Sequence, residues 1–406
     1  MKAVVADVTI PRYLASRAVG RLWRGAYLSG LGPISLREIP EPRLPGPEWV
    51  KVRVDLAGIC GSDLHLILLE TSPSASVYAS MPFVVGHENT GTVIEAGSDA
   101  GIAPGRRVVV EPLLPCVTRG FSAECAACAR GDYNLCERFA EGALAPGMLH
   151  GTCRDVGGSW GEVLVAHRSR LVPVPDGTPD EQAVMVEPLA VAIHPILRFV
   201  PHEPTTILVA GAGTVGLVSI AALRVLRPHA RIIVLARHDH QADLARRLGA
   251  AVVISTSRGG HYREIAHLTG ARVLTPLIGP PVLSGGVDLT LECVGSAKSI
   301  DDVLRLTRAG GTVVLVGLAA APHGIDWTPI WLREVSVRGS FAYAREQVDG
   351  RTARAVELAM ELLASGQVDL RPLITHRFAL SEWRHAVAVA LDKRRHRAIK
   401  VLLCPR

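Results

Sequence analysis

The 406-residue chain has no low-complexity tract and no internal repeat, which excludes solenoid and linker-like architectures. It has no clean membrane-spanning segment either. Its longest apolar run, Ile207 to Leu223, approaches that length but carries Gly211, Gly213 and Gly216 in a turn arrangement, so strand–turn–helix explains it better. The start of the chain, Met1-Lys2-Ala3-Val4-Val5, lacks the architecture of a secretion signal and leads straight into a strand-like run. Nor is basic charge massed in one place. The net charge is +6, yet the arginines are scattered among acids, and the densest run, Lys393–Arg397, reads as a solvated helix end. These absences set the expectation of a cytoplasmic protein with neither nucleic acid nor a membrane as partner. A mildly positive surface remains compatible with attraction of phosphate-bearing cofactors.

What is present suits a two-domain globular protein. Nearly half the residues are apolar, and the length allows two substantial cores. Val50–Leu56 alternates apolar and polar residues as a half-buried strand does, and Thr90–Ala96 and Arg107–Val110 add short strands between glycine- and proline-bearing turns. This texture predicts a β-rich, barrel-like first domain. After Pro188 the pattern changes to strand–helix alternation. Strands are expected at Thr206–Val209, Arg231–Leu235, Ala251–Ile254, Val287–Leu291 and Thr312–Val316, with helices at Leu217–Leu226 and Gln241–Leu248. Alternation of that kind predicts a doubly wound parallel sheet. The Gly- and Pro-rich stretch from Gly270 to Gly286 reads as a surface loop or insertion.

Three motifs carry chemistry. Cys60-Gly61-Ser62-Asp63-Leu64-His65, followed by Gly86-His87-Glu88, offers a thiolate, an imidazole and a carboxylate to one metal, with proton-carrying side chains beside them. Zinc takes such a mixed set in a tetrahedron and, in catalytic sites, leaves one position open. Cys125-Ala126-Ala127-Cys128 and Cys136, with Cys116 upstream, have metal-ligand spacing rather than the look of a disulfide framework. Cys153, Cys293 and Cys404 lack partners at suitable spacing. Gly211-Ala212-Gly213-Thr214-Val215-Gly216 follows a strand and opens a helix, as a pyrophosphate-binding turn requires. The acid expected at the end of the next strand, to bind the ribose hydroxyls, is replaced by Ala236, with Arg237-His238-Asp239-His240 after it. A small residue followed by an arginine accommodates a 2′-phosphate, so NADP(H) is preferred to NAD(H). The alternative is an exposed Arg237 beside a ribose that Asp239 binds.

From about Val50 onward, the order of these motifs resembles the zinc-dependent alcohol and polyol dehydrogenases of the medium-chain dehydrogenase/reductase superfamily. The resemblance implies an α/β chain with a GroES-like β-rich catalytic domain at 1–190, completed by 344–406, and a Rossmann domain at 191–343. It implies a catalytic zinc on Cys60, His87 and one or both of Glu88 and Glu187. Glutamate at the Glu187 position resembles the polyol branch rather than the alcohol branch, which has cysteine there. Ser62 and His65 correspond to the family's proton relay, and Glu88 either binds zinc or exchanges with its water.

A second, structural zinc is implied on Cys125, Cys128 and Cys136. Cys116 is the candidate fourth ligand across an unusually long spacing, the alternative being a non-cysteine ligand or an empty lobe. Cofactor contacts are expected from Gly211, Gly213, Thr214, Val215, Gly216, Ala236, Arg237, Val294 and Gly317. Leu66–Phe83, Trp160 and the loop after Phe341 are candidate pocket walls. Val335–Phe341 resembles the edge strand through which family members pair, so a homodimer or homotetramer is expected.

The function implied is hydride transfer between NADP(H) and a secondary alcohol, polyol or cyclitol and its ketone. Two alternatives stand beside it: a zinc-free quinone or enoyl reductase, and a catalytically idle nucleotide-binding or scaffold member.

Overall fold

Valines every second residue make Trp49–Gly58 (β3) a strand with one buried face, Val50, Val52 and Val54 being fully enclosed while Lys51, Arg53 and Asp55 stay partly exposed. The computed structural model describes residues 1–405. They form two units, 1–187 with 356–405, and Pro188–Ala355.

In the first unit β3 lies within a seven-stranded sheet. It pairs antiparallel with Glu88–Ala96 (β5), Val163–His167 (β7) and Lys400–Cys404 (β20). Arg107–Val110 (β6), Leu171–Pro173 (β8) and Ile374–Ala379 (β19) complete that sheet. A smaller sheet joins Lys2–Ala6 (β1) to Ile34–Glu38 (β2) and Phe83–Val84 (β4). The main core fills with the inward residues of these strands and with Trp383, Val387 and Ala390 of the helix Trp383–Leu391. Between β1 and β2 lie the helix Ile10–Leu22 (α1) and a 3-10 turn at Arg24–Leu28. Gly61–Ile67 (α2) follows β3 directly.

The second unit carries a six-stranded parallel sheet in the order β11-β10-β9-β14-β15-β16. Its strands are Thr206–Ala210 (β9), Arg231–Ala236 (β10), Val252–Ser255 (β11), Val287–Glu292 (β14), Thr307–Leu315 (β15) and Ser336–Gly339 (β16). The helices Thr214–Leu226, Asp239–Arg247, His261–Thr269 and Ala297–Leu306 alternate with them. Strand order reverses beside β9, the switch point at which such sheets bind nucleotides.

One expectation needs correction. The stretch from Gly270 to Gly286 is not a plain loop: Arg272–Leu274 (β12) and Val282–Ser284 (β13) pair as an antiparallel hairpin around its Pro-rich tip. A second hairpin, Arg345–Val348 against Arg351–Arg354, precedes the helix Ala355–Ala364. Both hairpins are short, with too few alternating residues to betray a strand by periodicity.

Candidate metal and cofactor sites

Cys60 is the N-cap of α2, and the side chain of Asp63 closes the helix start by accepting the Cys60 backbone N–H at 2.8 Å. That bond fixes Asp63 so that its other carboxylate oxygen lies 3.6 Å from His87 Nδ1. His87 occupies the link between β4 and β5, with Ser62 Oγ 3.5 Å from its Nε2 and Cys60 near enough to influence its charge. An imidazole with a carboxylate behind one nitrogen presents the other for ligation, the usual support of a metal-binding histidine.

Burial alone would depress the His87 imidazole. Asp63, Cys60 and Glu187 more than offset it and hold the pKa well above the ordinary histidine value. Burial pushes the Glu187 carboxyl up to about 7, with His87 pulling the other way. Three buried carboxylates, on Asp63, Glu88 and Glu187, thus face one imidazole and one ammonium, Lys400. Such a gathering of buried acids is a setting that a divalent cation relieves, and a thiol, an imidazole and a carboxylate form a donor set that zinc accepts.

Glu88 is held differently from Glu187. Its carboxylate forms a buried ion pair with Lys400, whose Nζ also donates to the Ile59 carbonyl at 3.2 Å. The strand register places Glu88 opposite Gly58, and a Cβ on Gly58 would collide with the Glu88 carboxylate, so the glycine makes the room. His65, one helical turn beyond Ser62, is partly exposed and its Nδ1 lies 3.0 Å from Glu70 Oε2. Trp160 is not a pocket wall. It is fully buried, and its indole N–H donates to the Gly58 carbonyl at 3.2 Å.

The second cluster is tighter. Cys116 opens a 3-10 turn, Cys125 caps the short helix Ala126–Ala129, and Cys128 and Cys136 follow. All four are buried, with their sulfurs within 4.8 Å of one another and Cys116 and Cys136 only 3.6 Å apart. A tetrahedron of sulfurs about 2.3 Å from zinc has edges of about 3.8 Å, so the lobe fits that ion. Backbone N–H groups of Cys125, Glu137 and Arg138 already point at three sulfurs from 3.4–3.5 Å. Among the described residues this is the only such close gathering of three or more ligand atoms. Cys60, His87 and Glu187 are neighbours but less tightly drawn.

The long spacing from Cys116 to Cys125 is absorbed by Arg119. Its guanidinium is buried and donates to the carbonyls of Leu114, Glu141, Leu144 and Gly147. Cys153 is buried and donates to the Ala145 carbonyl, apart from the four.

In the second unit the glycine fingerprint spans the turn from β9 into the helix Thr214–Leu226, with Gly213 as N-cap. Gly211 has φ +102° and a Cβ there would strike Val294, so the position demands glycine. Val294 is 47% exposed beside the turn, and the Gly317 N–H bonds the Glu292 carbonyl. Buried Glu292 itself accepts from Val294 N, Gly295 N and Ser299 Oγ, fixing the loop after β14.

Ala236 ends β10, fully buried, and Arg237 is exposed with no hydrogen bond or ion pair among the described residues. Ser255 lies opposite Ala236 in the register of the next strand, its hydroxyl 2.8 Å from that of Ser257. Sequence reasoning did not single out Asp63, Lys400 or this serine pair. The Asp63 signal was there, in a capping box straddling the Cys60 motif.

A GroES-like unit bearing a thiol–imidazole–carboxylate site, on a chain that also carries a Rossmann unit, defines an alcohol-dehydrogenase class of oxidoreductase. Residues 46–176 match the alcohol dehydrogenase GroES-like domain and residues 214–359 the zinc-binding dehydrogenase domain. The chain is 33% identical over 380 residues to L-idonate 5-dehydrogenase of Vitis vinifera, covering 93% of each. It is 32% identical over 381 residues to sorbitol dehydrogenase of Arabidopsis thaliana, covering 93% of this chain and 94% of that one.

Among solved structures it superposes with TM-score 0.73 on a protein of Sinorhizobium meliloti described as a zinc-binding dehydrogenase bound to NADP, at 28% identity over 93% of this chain and 98% of that one. With 2R,3R-butanediol dehydrogenase of Bacillus subtilis the TM-score is 0.70, at 26% identity over 92% and 96%. The chain belongs to the zinc-dependent medium-chain dehydrogenase/reductase superfamily of alcohol and polyol dehydrogenases.

Proposed function

We propose that this alcohol/polyol dehydrogenase uses NADP(H) and zinc to interconvert a secondary alcohol, polyol or cyclitol with its ketone. The observation that carries the reading is the convergence of Cys60, His87 and Glu187, with Asp63 behind the imidazole, in a buried setting crowded with acids. Cys60, His87 and Glu187 would hold the catalytic ion, Glu88 being committed to Lys400. When bound, zinc supplies a Lewis acid for the substrate oxygen and the nicotinamide accepts or donates the hydride. Ser62, 3.5 Å from His87 Nε2, is placed to take the hydroxyl proton, and His65, partly exposed, can exchange it with solvent. Cys116, Cys125, Cys128 and Cys136 would hold the structural ion.

Preference for NADP(H) is supported by Arg237, which has no partner among the described residues, by the small Ala236 where a ribose-binding acid would stand, and by the nearby hydroxyls of Ser255 and Ser257, a set suited to a phosphate. The polyol assignment is supported by Glu187 and by relatives named for idonate and sorbitol. Pairing of two copies through the open edge of β16 is supported by the exposed Trp331 and Leu332 in the preceding helix. The arrangement is compatible with a cytoplasmic enzyme. No metal donor of the family is missing, which argues against the zinc-free and idle alternatives. Cys60→Ser tests the reading: it should abolish turnover while NADPH still quenches or enhances fluorescence as in the parent. Retained turnover would refute the metal role.

A further inference from the structure

The helix α1 is turned inside out. In a helix packed on a globular body the apolar stripe faces inward. In α1 the inward column, at spacing four, is Arg12, Ser16 and Gly20. Ser16 and Gly20 are buried, the ring of Tyr27 lies where a Cβ on Gly20 would be, and Arg12 donates to the carbonyls of Asp7, Gly30 and Gly32. The outward column is Ile10, Leu14, Ala18 and Leu22. Ile10 is 77%, Leu14 60% and Leu22 92% exposed, and Trp23 at the end of the helix is 59% exposed. Alongside run Arg17 and Arg21, exposed, with Arg24 just beyond. Between Asp7 and Glu38 the chain has no acidic residue and five arginines, Arg12, Arg17, Arg21, Arg24 and Arg37.

We propose that α1 is a docking face for an anionic phospholipid surface, on which the helix lies flat with Ile10, Leu14, Leu22 and Trp23 inserted and Arg17, Arg21 and Arg24 on the headgroups. An apolar stripe flanked by arginine and ending in tryptophan is the composition of interfacial helices. Charge selects this occupant. A second copy docked through the same face would bring two acid-free arginine rows together, a like-charge contact that costs rather than gains.

Thirteen residues of helix reach only about 20 Å, too short to span a bilayer but long enough to lie in its interface. The expectation against a membrane partner rests on the lack of a spanning segment. No helix among the described residues is long and apolar enough to cross a membrane, and a surface helix needs none. The rest of the protein keeps α1 in place, since Arg384 donates to the Leu28 carbonyl just after it. The inference is independent of which substrate or cofactor the enzyme uses.

Co-sedimentation of the full chain with vesicles tests it. Vesicles of phosphatidylcholine mixed with phosphatidylglycerol should carry the protein down, vesicles of phosphatidylcholine alone should not, and added salt should weaken the binding. Leu14→Ser combined with Leu22→Ser should cut binding by at least about tenfold, while Arg21→Gln should cost roughly fivefold. Both variants change exposed residues, and an unaltered melting temperature checks that they fold. The proposal is overturned if the parent ignores anionic vesicles, or if the leucine variant binds them as well as the parent does. A drop in oligomeric mass in the leucine variant would overturn it too, assigning the face to a second copy of the chain.

Discussion

Lys400 and Glu88 illustrate how much of the site rests on single buried groups. Each is almost wholly enclosed, and each has the other as its charge partner. Removing one member of such a pair strands the other. Lys400→Met should therefore destabilise the protein by about 3–5 kcal/mol, read from the denaturant midpoint, and adding Glu88→Gln should recover much of the loss. If the single variant is as stable as the parent, the ion pair is not what holds β20 beside the site. Arg237 makes the opposite case, an exposed cation with no partner among the described residues. Replacing it with alanine should weaken NADPH by about ten- to a hundredfold and leave NADH nearly unchanged in paired titrations. Equal losses for both would mean that Arg237 does not meet the 2′-phosphate. Arg237 was legible in the sequence because the fingerprint fixes where to look for it. Lys400 was not, because its meeting with Glu88 depends on β20 pairing with β3 across the length of the chain, and no local pattern encodes that register.

At the scale of elements, local chemistry was a good guide wherever a strand or helix carries a clean period. β3, β6, β9 and β10 lie within about two residues of their expected bounds. Expectation failed at the hairpin β12–β13, where three-residue strands flank a Pro- and Gly-rich tip and composition says only loop. It also said little of α1, whose pattern is amphipathic with the apolar side outward, so periodicity cannot tell which face is buried.

The cysteine lobe is the element with the clearest energetic consequence. The four sulfurs and the Arg119 carbonyl clasp organise it. Cys128→Ser should lower the melting temperature and raise protease sensitivity at Cys116–Cys136, with the rate of the chemical step per folded molecule little changed. A variant as stable as the parent would show that the lobe does not depend on a bound ion.

Across the whole molecule the first unit is not continuous in sequence. Strands β19 and β20 and the helix Trp383–Leu391 come from the end of the chain, and the parallel-sheet unit is inserted between them and the rest. The motifs announced both units, because metal donors and the glycine turn use short, ordered spacings. They did not announce that Glu88 would pair with Lys400 and Glu187 would not, because that difference is set by three-dimensional packing.

The central claim is that one donor set serves catalysis and the other serves structure, each with zinc. Metal content of the purified chain, by inductively coupled plasma mass spectrometry, tests it most directly. The account predicts about two zinc ions per chain, falling by about one in Cys60→Ser. A parent with a single ion or none, or a Cys60→Ser variant that keeps the full complement, would contradict it.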